Sequence, residues 1–244
     1  MIELERSDLH PNAVVRNLCY EDQFSTDSMF PEKVNFGSIE LVPIFKADFS
    51  EVCSLYRYTD EEVFKHYGST QDNFPSETRK YIKSKEDAWL NAEWFEYVIK
   101  YEGELIGKTY LNAGDKLDSF EIGYWLRKSY WGNEITQKIA DALIYICFEE
   151  LDASYFDVGC VIQNVKSRKA IEKYVRRYNG SFYGFVPRTE SVYHPKSRNN
   201  PTDVIKHPEW VITQENYYSH EEGISTTIPG IRYKEIEFDG GKYI

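Results

Sequence analysis

The stretch from Glu121 to Lys138 constrains this chain more than any other, because its hydrophobic period changes there. Glu121-Ile-Gly-Tyr-Trp-Leu126 alternates like a strand, Gly132 sits in a tight turn, and Ile135, Ile139, Leu143 and Ile146 repeat like a buried helix. The spacing predicts a helix from Trp131 to Leu151 that leaves directly from the turn. A strand feeding a helix through a glycine turn leaves the helix's first N–H groups without backbone partners, and such groups bind phosphate. A lone glycine also permits a turn for purely structural reasons, so this segment alone does not decide the function.

A second segment has a similar form. Val161-Ile-Gln-Asn164-Val-Lys-Ser167 follows a short apolar strand, Tyr155 to Val161, and opens a helix from Val165 to Tyr178. Asn164 reads as the N-cap of that helix, and a capping amide keeps a free donor for a ligand.

The rest of the chain supplies a frame for these two segments. Ile39 to Phe45 reads as a strand and Ala47 to Tyr58 as a helix. A short helical piece follows Thr59, and Ser76 is expected to cap a helix through about Asn91 with Tyr81, Ile82, Trp89 and Leu90 on its apolar side. Phe95–Tyr101 and Glu104–Leu111 form a hairpin around Glu102-Gly103, and Ser119 to Leu126 is the next strand. Gly180 begins a further strand, and Glu209 to Glu215 closes the sheet. This order implies an α+β domain with a mixed sheet. Residues 1–37 read as an irregular N-terminal extension, 38–218 as the domain, and 219–244 as a C-terminal tail.

Composition excludes several function classes. Forty Asp and Glu stand against 29 Lys and Arg, for a net charge of -11, which disfavours a nucleic-acid surface. The most apolar run, Ile139 to Phe148, is too short to span a membrane, and the charged N-terminus lacks a signal core, so no membrane association is expected. Cys19, Cys53, Cys147 and Cys160 show no metal-ligand spacing, and the five histidines show no pairing. The expectation is reduced thiols, no metal and a cytoplasmic location. Neither a GxSxG elbow nor a Walker loop occurs.

In their order and spacing, the two segments resemble the GNAT superfamily of acetyl-CoA-dependent N-acetyltransferases, nearest the RimJ/RimL branch that modifies ribosomal proteins. Glu121 to Leu126 resembles that branch's fourth strand, Trp131-Gly132 its pyrophosphate loop, and Asn164-Val-Lys-Ser167 its Asn-x-x-Ser signature. Tyr101 to Gly107 and Trp210-Val-Ile-Thr also fit, so the likeness covers roughly residues 38 to 218. It implies a GNAT-like, mostly antiparallel sheet flanked by helices, and acetyl-CoA as cosubstrate. Glu121 becomes the candidate base, Ser167 the candidate acid and Tyr124 its alternative. Leu126 is implied as an oxyanion donor through its backbone. Arg127, Gly132, Asn133, Glu134, Ile135, Thr136 and Asn164 are implied in cofactor binding, and Lys128, Lys166 and Arg168 are further phosphate candidates.

The implied acceptor is the amine of a peptide, a protein N-terminus or a small molecule. The acidic balance favours a cationic one. A homodimer is left open. Two positions depart from the family loop: Ser129 stands at its first position and Glu134 at its last, where a small residue normally lets the backbone approach. Glu134 therefore supports a rival reading, a GNAT-like module that binds CoA or a partner without catalysis. A self-associating structural protein, suggested by the aromatic ends, is a third.

Overall fold

The computed structural model describes residues 2–5, 31, 33–66, 74–91, 94–113, 118–189 and 204–221. Among them, nine strands form one sheet in the order β1-β2-β3-β4-β5-β6-β7-β9-β8. They are β1 Ile2–Glu5, β2 Lys33–Phe36, β3 Ile39–Pro43, β4 Phe95–Tyr101, β5 Glu104–Ala113, β6 Ser119–Leu126, β7 Tyr155–Gly159, β8 Ser181–Thr189 and β9 Val204–Thr213. The helices are α1 Phe49–Arg57, α2 Glu61–Phe64, α3 Pro75–Leu90, α4 Ile135–Tyr145, α5 Val165–Arg177 and α6 Gln214–Glu221. No described helix is long and apolar enough to cross a membrane.

Every neighbouring pair of strands is antiparallel except β6 and β7. A parallel pair needs a crossover, and α4 supplies it. The two strands pair only from Ser119↔Tyr155 to Glu121↔Asp157. Beyond that point β6 runs on beside β5 to Leu126, while β7 follows β9, so a V-shaped gap opens between them.

The sheet divides the core. Phe120, Ile122 and Leu126 on β6 pack with Ile135, Ile139 and Leu143 of α4 and with Ile171 and Tyr174 of α5. On the opposite face Trp125 and Val98 meet Val52, Leu55 and Tyr56 of α1 and Val63 and Phe64 of α2. A shift in register between Ile99 and Lys100 skips Ile106 and carries Lys108 onto this second face, opposite Val98 and Trp125.

Several sequence expectations need correction. Residues 1–37 contain two strands, and β2 extends the sheet beyond β3. Helix α3 starts after Phe74 with Pro75 in its first turn, so Ser76 is not its cap. Proline suits that position because its missing N–H would have no partner there. Leu90 is 38% exposed rather than part of the apolar side. Helix α4 begins at Ile135, not Trp131, and ends in a π-helical turn, Ile146–Glu150. The sequence-defined tail from residue 219 overlaps the end of α6, and residues 222–244 lie outside the described residues.

Candidate active site

The gap between β6 and β7 follows from strand alternation. In the β5–β6 pair, Arg127 N–H donates to the Ile106 carbonyl (2.8 Å), which makes Leu126 a non-hydrogen-bonded position opposite Gly107. Alternation places Tyr124 in the same class. The N–H groups of Leu126 and Tyr124 therefore point away from β5, toward the side that β7 has left. Leu126's side chain is buried in the core, so any part it takes in chemistry is through its backbone.

The turn after β6 is built by conformation rather than by space. Gly132 has φ +83°, and a Cβ placed on it would meet no atom within 4 Å. Its requirement is the left-handed region that glycine enters without strain. Trp131 Nε1 donates to the Leu126 carbonyl (2.9 Å) and pins the turn to the end of β6. The first helical bonds of α4 run from Gln137 and Lys138 N–H to the Glu134 carbonyl. The N–H groups of Asn133, Glu134, Ile135 and Thr136 precede them and are the orphan donors of a helix start. Ile135's side chain is buried, Thr136 is half-buried and Asn133 is exposed. Gln137 Nε2 donates to the Ala170 carbonyl (3.0 Å) and fixes α4 against α5.

Glu134 itself has φ +58°. A non-glycine residue is strained there, which explains why a glycine suits this position better. Its carboxylate is exposed and paired with Lys173 of α5 at 2.7 Å. That pairing, together with Lys138 and Arg177, holds its pKa below the usual range. The charge read from sequence as a threat to a bound pyrophosphate is thus partnered, which weakens the case for an inactive module.

On the other side of the gap, Asn164 caps α5: its Oδ1 accepts from Ser167 N–H at 3.1 Å. Ser167, Ile171 and Tyr174 share the inner stripe of the helix. The Ser167 and Tyr174 hydroxyls both lie beside the phenol of Tyr124, and burial raises the Tyr124 pKa. The structure thus brings the two acid candidates, Ser167 and Tyr124, together. Cys160 adjoins Ser167, and burial pushes its thiol up to about 12. A thiol so protonated is a poor nucleophile at neutral pH, which argues against an acyl-cysteine intermediate. The free thiols among the described residues are Cys53, Cys147 and Cys160.

Glu121 lies at the apex of the gap, half-buried, on the face opposite α4. Sequence reading missed its companions there. Asp157 pairs with it in the final β6–β7 register. The side chain of Glu209 on β9 lies across Gly159, where an added Cβ would sit 2.9 Å from the Glu209 Cγ. Both carboxylates are more than nine-tenths buried. Only the strand pairing, absent from a linear pattern, sets Asp157 opposite Glu121 and Glu209 opposite Gly159.

The phosphate candidates are all met by carboxylates. Glu62 of α2 takes Lys128 (2.6 Å) and Lys166 (3.2 Å), and Lys166 Nζ also lies 4.3 Å over the Trp131 ring. Arg127 pairs with Glu104 at 3.1 Å, and Arg168 with Glu172 at 3.9 Å. No group of three His, Cys, Asp or Glu side chains able to hold a metal occurs among the described residues.

The family pattern described as the acetyltransferase (GNAT) domain matches residues 38–174, more than half of the chain. The chain belongs to the GNAT family. It is 34% identical over 76 residues to the Bacillus subtilis (strain 168) protein named "Putative ribosomal N-acetyltransferase YdaF", a match spanning 31% of this chain and 42% of that protein. Among solved structures, the GNAT fold here is similar to the microcin C7 self-immunity acetyltransferase MccE in complex with acetyl-CoA and AMP. That likeness has 18% identity and a TM-score of 0.61, and covers 76% of this chain and 98% of that one. RimL, the ribosomal L7/L12 alpha-N-protein acetyltransferase solved with coenzyme A, gives 19% identity and a TM-score of 0.58, over 75% and 98% of the two chains.

Proposed function

We propose that this GNAT protein transfers the acetyl group of acetyl-CoA to a primary amine of a peptide, a protein N-terminus or a small molecule. The observation that carries the reading is the gap beyond Glu121/Asp157. It has the Tyr124 and Leu126 N–H groups on its open side and two helix starts flanking it. The residues suit the cosubstrate: unpartnered N–H groups at 133–136 for a pyrophosphate, and an Asn164 amide donor with two buried hydroxyls for the thioester arm. When bound, acetyl-CoA supplies an activated acyl group.

The chain's own residues divide the remaining work. The Glu121 carboxylate accepts the proton that an ammonium must lose before it can attack. Leu126 N–H donates to the oxygen that gains charge. Ser167 or Tyr124 holds a proton for the leaving sulfur, a modest aid because a thiol ionises near pH ~8.5. The acidic balance of the chain favours a cationic acceptor over a neutral one. The ribosomal relatives support a protein N-terminus as the first acceptor to try, and the cytoplasm as the setting. Release of free CoA thiol from acetyl-CoA, measured over a panel of amines that includes a peptide with a free α-amino group, tests the reading. Thiol release that requires the amine is the expected result. Acetyl-CoA that binds but reacts with no amine would instead favour the binding module.

A further inference from the structure

Resting on that reading, we propose that Tyr174 is a positioning residue that makes the Tyr124 phenol the proton donor to the departing CoA sulfur. Tyr174 is completely buried on the inner stripe of α5, in line with Ser167 and Ile171. Helical side chains tilt toward the N-terminus, so its long phenol reaches back toward Ser167 and the gap. There its hydroxyl lies beside that of Tyr124. Neither Tyr124 Oη nor Tyr174 Oη makes a well-formed hydrogen bond among the described residues, although both atoms are shut away from water. Two adjacent buried hydroxyls in that condition weaken a fold, and phenylalanine at either position would avoid the penalty. The Tyr56 hydroxyl in the core of the other face is in the same condition; what sets Tyr124 and Tyr174 apart is that they adjoin Ser167 at the gap.

The step balances as follows. Glu121 takes the first proton from the ammonium and passes it to solvent. The neutral nitrogen then forms its bond to the acetyl carbon and the carbon–sulfur bond breaks, with the second nitrogen proton leaving to Glu121. The sulfur takes the Tyr124 hydroxyl proton, and the oxygen left behind is stabilised by donation from the Tyr174 hydroxyl until solvent returns a proton through Ser167. Glu121 gives its second proton to solvent, so one proton is released per turnover. Burial raises the Tyr124 pKa, while the neighbouring Tyr174 hydroxyl lowers it. Removing that hydroxyl makes Tyr124 a weaker acid without touching the acceptor side.

The test uses the full chain and the amine that gives the best wild-type turnover. Tyr174→Phe is expected to lower kcat about tenfold, leave KM for acetyl-CoA within about twofold, and leave Tm of the free protein unchanged or raised. Tyr124→Phe should lose a similar factor, and the double variant should lose little more, because the pair acts as one unit. An unaltered kcat in Tyr174→Phe overturns the proposal. So does a lowered Tm with losses that multiply in the double variant, which would make the hydroxyl a structural one. A wild type that neither binds acetyl-CoA nor acetylates any amine fails the functional reading first, and the proposal falls with it.

Discussion

Two buried polar clusters lie on opposite faces of the same sheet, and they are finished to different degrees. On the α1/α2 face, Glu96 accepts from Tyr81 (2.6 and 2.8 Å), Trp94 Nε1 (3.1 Å) and Lys108 Nζ (2.8 Å), with Lys85 3.8 Å away. Each Glu96 oxygen is used, and the Lys108–Glu96 pair is almost wholly shielded from water. On the α4/α5 face, the Tyr124 and Tyr174 hydroxyls are just as hidden yet lack well-formed partners. The Tyr56 hydroxyl beside Lys108 also lacks a well-formed partner. The charged groups of that face are nonetheless paired, and a satisfied charge network specifies a fold. The Tyr124 and Tyr174 hydroxyls instead adjoin Ser167 at the gap. The difference separates the part of this molecule that holds α3 on the sheet from the part that meets a substrate.

The largest effect should come from the finished cluster. Lys108→Met leaves the Glu96 charge buried with fewer partners, at a cost of about 3–5 kcal/mol. Thermal melting should then fall by roughly 6–20 °C for a chain of this size, while acetyl-CoA affinity of the folded protein stays within about twofold. Lost turnover with an unchanged Tm would mean that the satisfied cluster is catalytic, and the contrast would collapse. Glu121→Gln comes next: kcat at neutral pH should drop about a hundredfold, within the range of general-base losses, with calorimetric acetyl-CoA binding preserved. An unaltered pH–rate profile would remove the base from this position. Ser167→Ala should lower kcat about tenfold with little change in KM, and equal turnover would leave Tyr124 as the sole donor. The smallest effect belongs to Glu134→Gly. Relief of the left-handed backbone should raise Tm by roughly 1–4 °C, despite loss of the Lys173 pair, and a lowered Tm would show that the ion pair outweighs the strain.

How much of this could be read in the sequence depends on the range of the interaction. The strand–turn–helix at Glu121–Lys138 and the Asn164 cap are local, and both were legible. The start of α4 was misplaced because Ile135 was the first apolar residue of the period, while the preceding turn held two left-handed residues, Gly132 and Glu134, that no helix accommodates. Lys108 lies in the hairpin strand expected from Glu104 to Leu111. Its burial follows from the skipped register at Ile106, which alternation alone does not reveal. Tyr174 lies in the helix expected from Val165 to Tyr178, and nothing in the local pattern singled it out. Its meaning depends on Tyr124, 50 positions earlier and on another element. Strands β1 and β2 were invisible because short edge strands carry too few residues for a period.

Amide hydrogen exchange on the free protein and on the protein saturated with acetyl-CoA asks directly whether the β6–β7 gap is the cofactor site. The prediction is new protection confined to Tyr124 and Leu126, to residues 133–136, and to the first turn of α5 around Ser167, with the Glu96–Lys108 cluster on the other face unchanged. Protection that left those amides unaltered, or that appeared chiefly around Glu96 and Lys108, would contradict it.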